Sequence, residues 1–230
     1  MTIRDVEATQ FLTGHSLRSS PHLYLWGRRI DDPDLRHETY EPLCRVRTKL
    51  EQDIRTFVTE PDIMLVAPQE LVVCIEAKFG SGNPLAHASA VKEGQKPTSR
   101  AELLARYLGD QTSSRTKEIV DSEKIGPAIR SQLFRNIVFA SEMAGRTPWH
   151  VVNLVSSTQW SGETRNNHQS YQDPTDEVRG YLQSDCFTFR TWEGLYNAVI
   201  SGDPDLARLE QYLQTKSAHF KPAFNVGTRR

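Results

Sequence analysis

The strongest pattern in the chain is a pair of apolar runs separated by a short polar break. Asp62-Ile63-Met64-Leu65-Val66 precedes Pro68-Gln69-Glu70, and Leu71-Val72-Val73-Cys74-Ile75-Glu76-Ala77-Lys78-Phe79 follows it. Runs of this length, rich in branched side chains and bounded by turn formers, predict two strands joined as a hairpin. The second run is apolar on both faces until Glu76, as a central strand covered by helices on both sides requires. Upstream, Leu23, Leu25 and Ile30 alternate with turn formers between Ser19 and Asp34, and Pro42 opens a segment with Leu43, Val46 and Leu50 at helical spacing, predicting a helix over 42–53.

Residues 80–124 are rich in Gly, Ser, Asn, Lys and Pro and read as an insertion at the strand's end. One helix is expected inside it, opened by a Ser99-x-x-Glu102 capping box and closed at Gly109. A stronger helix is predicted from Pro127, with Ile129, Leu133, Ile137, Ala140 and Ala144 on one stripe and Gly145 as its stop. Trp149-His150-Val151-Val152-Asn153-Leu154-Val155 then reads as a strand. Strand, helix, strand is a crossover unit, so a parallel pair is expected. Residues 156–180 are polar and read as a loop, Cys186 to Phe189 as a short strand, and Thr191 as a helix N-cap. Helices are expected near 192–200 and 204–213, and the tail 216–230 carries Lys216, Lys221, Arg229 and Arg230 with no acidic residue.

Composition narrows the class. With 230 residues, one domain is expected over 1–230, its core at about 38–200 with the insertion at about 80–125. Lys plus Arg (28) nearly cancel Asp plus Glu (29), so the molecule has no strong overall field for gathering phosphates, and nucleic-acid contacts must come from local patches. Arg45, Arg47, Lys49, Lys92, Lys96, Arg100, Arg106, Arg115 and Lys117 are candidates for such patches, or for a solvated charged face. Cys44, Cys74 and Cys186 stand far apart, which argues for separate reduced thiols rather than zinc or a disulfide framework. No leader-like or membrane-length apolar stretch is visible, so a cytoplasmic protein is expected.

Chemistry concentrates at the end of the second strand. Glu76 and Lys78 lie two apart, so both side chains leave one face while Ala77 points into the opposite layer. An antiparallel partner beginning at Asp62 brings a second carboxylate across the ladder to the same spot. Charges ending an apolar central strand are costly unless paired or bound to a metal. Two carboxylates suit Mg²⁺, which keeps several positions for water and phosphate. Such an ion lowers the pKa of a bound water and polarises a phosphoryl oxygen. Lys78 would orient the attacking water or offset charge developing in the transition state.

Glu60-Pro61-Asp62, thirteen residues, then Glu76-Ala77-Lys78 resembles the signature of the PD-(D/E)xK nuclease superfamily. The resemblance implies an α/β, restriction-endonuclease-like αβββαβ core, a mixed central sheet flanked by helices. It also implies that Asp62, Glu76 and the backbone carbonyl of Ala77 ligate Mg²⁺, with Mn²⁺ able to substitute, and that Lys78 is catalytic. In such families the first helix often adds a glutamate, for which Glu41 is the candidate with Glu38 behind it. The helix after the Glu-x-Lys strand often adds a polar residue, here Gln132, and Asn136 stands one turn on, where several members carry tyrosine. The expected activity is hydrolysis of phosphodiesters, in DNA before RNA, by an endonuclease of the restriction or phage-defence kind, working as a homodimer or with a partner protein. Two other readings stay open: a nuclease-fold binding subunit without cleavage, and a structural salt bridge in an unrelated α/β protein. Gly80-Ser81-Gly82 lacks the Gly-Lys-Ser/Thr ending of a phosphate loop and reads as a sharp turn, and His150 as a hydrogen-bonded structural histidine.

Overall fold

A computed structural model describes residues 3–35, 38–51, 54, 58, 60–78, 83, 85–89, 99–108, 114–157 and 173–220. The two apolar runs form β3 (Ile63–Ala67) and β4 (Leu71–Lys78), paired antiparallel with Ile63 opposite Ile75 and Ala67 opposite Leu71. Pro68 to Glu70 make the connecting turn, and Gln69 takes a positive φ of 63° there. On the far side of β4 lies β7 (Trp149–Val155), parallel to it, and beyond that β8 (Phe187–Thr191), parallel again. On the near side, β1 (His22–Leu25) pairs antiparallel with β3 and β2 (Arg28–Arg29) with β1. The result is a mixed six-stranded sheet in the order β2-β1-β3-β4-β7-β8.

The alternation of side chains along β4 divides the core in two. Val72 and Cys74 face a layer containing α2 (Glu41–Glu51), α3 (Arg100–Leu108) and α5 (Ser131–Ala144), through Leu43, Val46, Leu103, Leu104, Leu133 and Ile137. Leu71, Val73 and Ile75 face the other side, where they meet Leu12 of α1 (Ile3–Thr13) and, at its edge, Trp192 and Leu195 of the helix Trp192–Val199. Burial on both faces is why β4 reads as an apolar run up to Glu76 and why β7 is mostly apolar. Glu76 and Lys78 carry on the Val72-Cys74 face, so they point toward α5 and not toward α1.

Several boundaries differ from expectation. The helix expected from Pro127 begins at Ser131, because Ile129 and Arg130 are drawn into a two-residue strand, β6, paired with Leu85–Ala86 (β5). The expected stripe is buried nonetheless, and so is most of the rest of α5, which is covered on several sides. Within the presumed insertion, Glu102 N–H donates to Ser99 Oγ at 3.2 Å as the capping box requires, but α3 packs into the main core rather than standing outside it. A further short helix, α4, spans Ser114–Ile119. The end of the segment read as a loop forms α6 (Thr175–Tyr181), whose Val178 and Tyr181 are buried. Thr191 caps α7 (Trp192–Val199) by accepting from Gly194 N–H, and α8 spans Ala207–Phe220. The core also reaches back before residue 38, since α1 and β1 both belong to it.

The β1–β2 connection is a two-residue turn, Trp26-Gly27, with φ of 48° and 75°. Positive φ at both positions is what a type I′ hairpin demands, and Gly supplies it without strain. A Cβ on Gly27 would also come within 2.5 Å of Leu43 Cδ2, so the turn lies hard against α2. Trp26 has no such freedom. A left-handed bulky residue costs roughly 1–2 kcal/mol, and the indole is 60% exposed, so little packing offsets that cost.

Candidate metal and catalytic site

The site forms where the sheet's carboxyl-terminal edge opens toward α5. Carried one residue beyond Ile63–Ile75, the β3–β4 register sets Asp62 opposite Glu76 on the same face. Asp62 Oδ2 accepts from the backbone N–H of Ala77 at 2.9 Å, which fixes its carboxylate across the end of the ladder. Glu76 Oε1 forms an ion pair with Lys78 Nζ, and Glu76 Oε2 accepts from Asn136 Nδ2 at 2.8 Å. The expected convergence of Asp62, Glu76 and Lys78 is therefore present, with both carboxylates on one side of the sheet.

Electrostatics at the site are unbalanced. Glu76 is 4% exposed and Lys78 9%. Burial raises the pKa of Glu76, and the Asp62 charge pushes it further up, while Lys78 and the Asn136 hydrogen bond hold it down. Among the described residues, two carboxylates stand beside one ammonium here, so a cation near Asp62 and Glu76 would relieve the remaining repulsion. The donors the structure brings together are carboxylate oxygens, and Ala77, whose carbonyl the resemblance adds, lies on β4 between Glu76 and Lys78 with its N–H on Asp62. Hard oxygen donors of this number fit Mg²⁺, which takes one or two carboxylates and keeps water for its other positions. They do not resemble a zinc site, which uses imidazole and thiolate. Among the described residues no group of three or more His, Cys, Asp or Glu side chains is gathered to hold a metal, because this cluster contributes two.

Other expected participants fall elsewhere. Glu41 is exposed at the start of α2 and pairs with Arg45 at 2.9 Å along its own helix, so it does not join Asp62 and Glu76. Glu38 is exposed, its backbone bonded to Arg29 and Leu35. Gln132 lies half-buried on α5, but the amide that reaches Glu76 is that of Asn136, one turn on. Of the two polar residues noted on that helix, the structure brings Asn136 to Glu76. Asn153 was missed as well: it is fully buried, lies beside Glu76 on β7 and accepts from Asn83 Nδ2 at 2.9 Å. A lone amide in the otherwise apolar half of that strand was the available signal.

Most of the cations expected to follow a phosphate backbone are engaged by the protein's own groups. Arg47 pairs with Glu60 at 2.9 Å, Lys49 with Glu142 at 2.8 Å and Arg115 with Glu118 at 3.3 Å, while Arg106 donates to Leu50 O. Lys117 is exposed. Lys92, Lys96, the Arg100 side chain, Gly80 to Gly82 and residues 221–230 of the tail lie outside the described residues. Cys44 is exposed, and Cys74 and Cys186 are buried free thiols, the last pushed up to about 11 chiefly by burial. An apolar cleft of about 230 Å³ opens on the opposite face of the sheet, lined by Leu12, Leu23, Ile63, Ile75 and Trp192, and holds none of the four polar residues of the site. No helix among the described residues is long and apolar enough to cross a membrane. Comparison with known proteins adds no relative: no family model matches the chain, and no curated protein or solved structure matches it.

Proposed function

We propose that this chain is a metal-dependent nuclease that hydrolyses phosphodiester bonds, with DNA as its first substrate to test. The observation that carries the reading is the pair of carboxylates, Asp62 and Glu76, set on one face at the end of the β3–β4 ladder with Lys78 beside them. Asp62, Glu76 and the Ala77 carbonyl would hold Mg²⁺ or Mn²⁺, which when bound supplies Lewis acidity and an acidified water. Lys78 would release Glu76 on substrate binding and place its ammonium against the charge developing on the phosphoryl oxygens. Asn136, donating to Glu76 Oε2, keeps that carboxylate turned toward the cluster.

The element order supports a restriction-endonuclease-like core with one rearrangement. Antiparallel β1, β3 and β4 are followed by α5 and parallel β7, and α1 precedes them. Read this way, α1 is the first core helix and α2 is inserted between the first two core strands, which accounts for Glu41 standing away from the site. The ion pair of Lys78 with Glu76 favours a second reading, a structural salt bridge in a protein that does not cleave.

Incubation with plasmid and linear DNA in Mg²⁺ or Mn²⁺ decides between them. The nuclease reading expects cleavage that Lys78→Ala reduces by about 10²–10³-fold. Cleavage unchanged by that substitution, or none by the parent protein with either ion, overturns it.

A further inference from the structure

Resting on the nuclease reading, we infer that Trp26 is a stacking platform for an unpaired base of the substrate strand, placed next to Asp62 by the β1–β2 turn. Its backbone N–H donates to the carbonyl of Asp62 at 3.2 Å, so the indole is carried by the residue next to the ladder end that presents the first carboxylate. The turn is held firmly: Tyr40 N–H donates to Gly27 O at 2.9 Å, and Gly27 abuts Leu43. Arg28, the next residue, is exposed on the same hairpin and supplies a cation for the adjoining phosphate.

Folding alone gives no reason for tryptophan at this position. Type I′ turns favour Asn or Asp before Gly, because those residues tolerate the left-handed region. Trp26 combines the unfavourable φ of 48° with an indole 60% exposed to solvent. A strained residue that gains little from packing, hydrogen-bonded through its main chain to the residue that carries the first candidate carboxylate, points to a role in binding. Aromatic faces stack on bases of any sequence, and stacking needs a base released from its own duplex neighbours. The substrate expected from this geometry has at least one unpaired nucleotide at the scissile position: a single strand, a flap or a frayed end.

The test separates binding from folding and from cleavage. In a Lys78→Ala background, the affinity of the full chain for a mixed-sequence single-stranded oligodeoxynucleotide is measured for Trp26, Trp26→Phe and Trp26→Asn. Trp26→Asn should weaken binding about tenfold, while raising the thermal midpoint because Asn-Gly suits the turn better. Trp26→Phe should keep most of the affinity, and binding to a blunt duplex should change less than twofold. With Lys78 intact, Trp26→Asn should lower kcat/KM and leave kcat nearly unchanged. Unaltered affinity for the single strand, or a lowered thermal midpoint in Trp26→Asn, overturns the inference. Tight binding that depends on Trp26 but is never followed by cleavage with Mg²⁺ or Mn²⁺ removes the nuclease reading and leaves the base contact standing. A parent protein that binds no oligonucleotide removes both.

Discussion

Two buried glutamates on the same face of the sheet have opposite surroundings. Glu51, at the end of α2, has a fully buried side chain; its Oε1 accepts from Arg135 Nη2 at 3.2 Å and from the hydroxyl of Tyr107 on α3. In these contacts a carboxylate meets a guanidinium and a neutral donor, which ties together helices α2, α3 and α5. Glu76 instead meets a lysine and an amide, with Asp62 across the ladder adding a second negative charge. Arg135 and Asn136 are neighbours on α5, and each serves a different glutamate. Burial of a charged pair does not by itself mark function; a surplus of one sign among the described residues is what makes the Glu76 cluster the candidate and the Glu51 cluster a structural one.

The sharpest way to break this contrast is to remove the cation from the closed cluster. Arg135→Met leaves Glu51 buried without its guanidinium and should cost about 3–5 kcal/mol of stability, measured by urea unfolding. A loss below about 1 kcal/mol would mean that the cluster relaxes or admits water, and the structural role assigned to it would fall. At the open cluster the sign of the outcome changes. Glu76→Gln should lower cleavage by about 10²–10³-fold while changing stability by no more than about 1 kcal/mol. Because the folded-state pKa of Glu76 lies above its ordinary value, its contribution to stability is fully present below that ordinary value and is lost as pH rises through the folded value. Relative to the parent, Glu76→Gln should therefore gain stability at pH 8 over pH 4.5, and the opposite trend would contradict the electrostatic picture.

What the sequence made legible, and what it did not, follows the same division. Asp62, Glu76 and Lys78 were readable because β-strand geometry is local: residues two apart share a face, and a three-residue break sets the hairpin register. The central strands were readable because burial on both faces leaves an apolar run. The Glu51–Arg135–Tyr107 cluster was not, since its members come from three helices and no spacing rule brings them together. Ile129 and Arg130 fit a helical stripe, and only their pairing with β5 overrides it. The β1–β2 hairpin escaped for a further reason: Trp-Gly is a poor turn signal, so the residue that hides the turn is the one singled out by its strain.

A third buried group, away from both glutamates, sharpens the contrast through pH. His150 on β7 faces α1; its Nε2 lies 3.2 Å from Thr188 Oγ1, whose proton is given to Leu12 O. His150 Nε2 must then be the donor, leaving Nδ1 unprotonated, buried and without a hydrogen-bond partner among the described residues. Burial, followed by the charges of His15, Arg190 and Arg179, lowers its pKa from 6.5 to about 3. The unfolded chain takes up this proton first, so the contribution to stability is full above 6.5 and declines as pH falls toward 3. By pH 5 the loss should reach about 2 kcal/mol. Replacing His150 with Leu should flatten that part of the profile, and an unchanged slope would assign the pH dependence to other groups.

The smallest effect is the most specific. If Asp62 and Glu76 bind a divalent cation, Mg²⁺ at ten times its Kd stabilises the folded state by about 1.4 kcal/mol, a rise of about 3–6 °C in Tm for a domain of this size. The rise should be absent in Glu76→Gln, where half of the paired negative charge is gone, and in Asp62→Asn. It should persist in Trp26→Asn, which alters the turn and leaves both carboxylates in place. Equal stabilisation of all four proteins by Mg²⁺ would show that the ion acts elsewhere. The surplus charge at the sheet edge would then have to be met by substrate or partner cations, which is the condition under which the non-cleaving binding subunit becomes the better account.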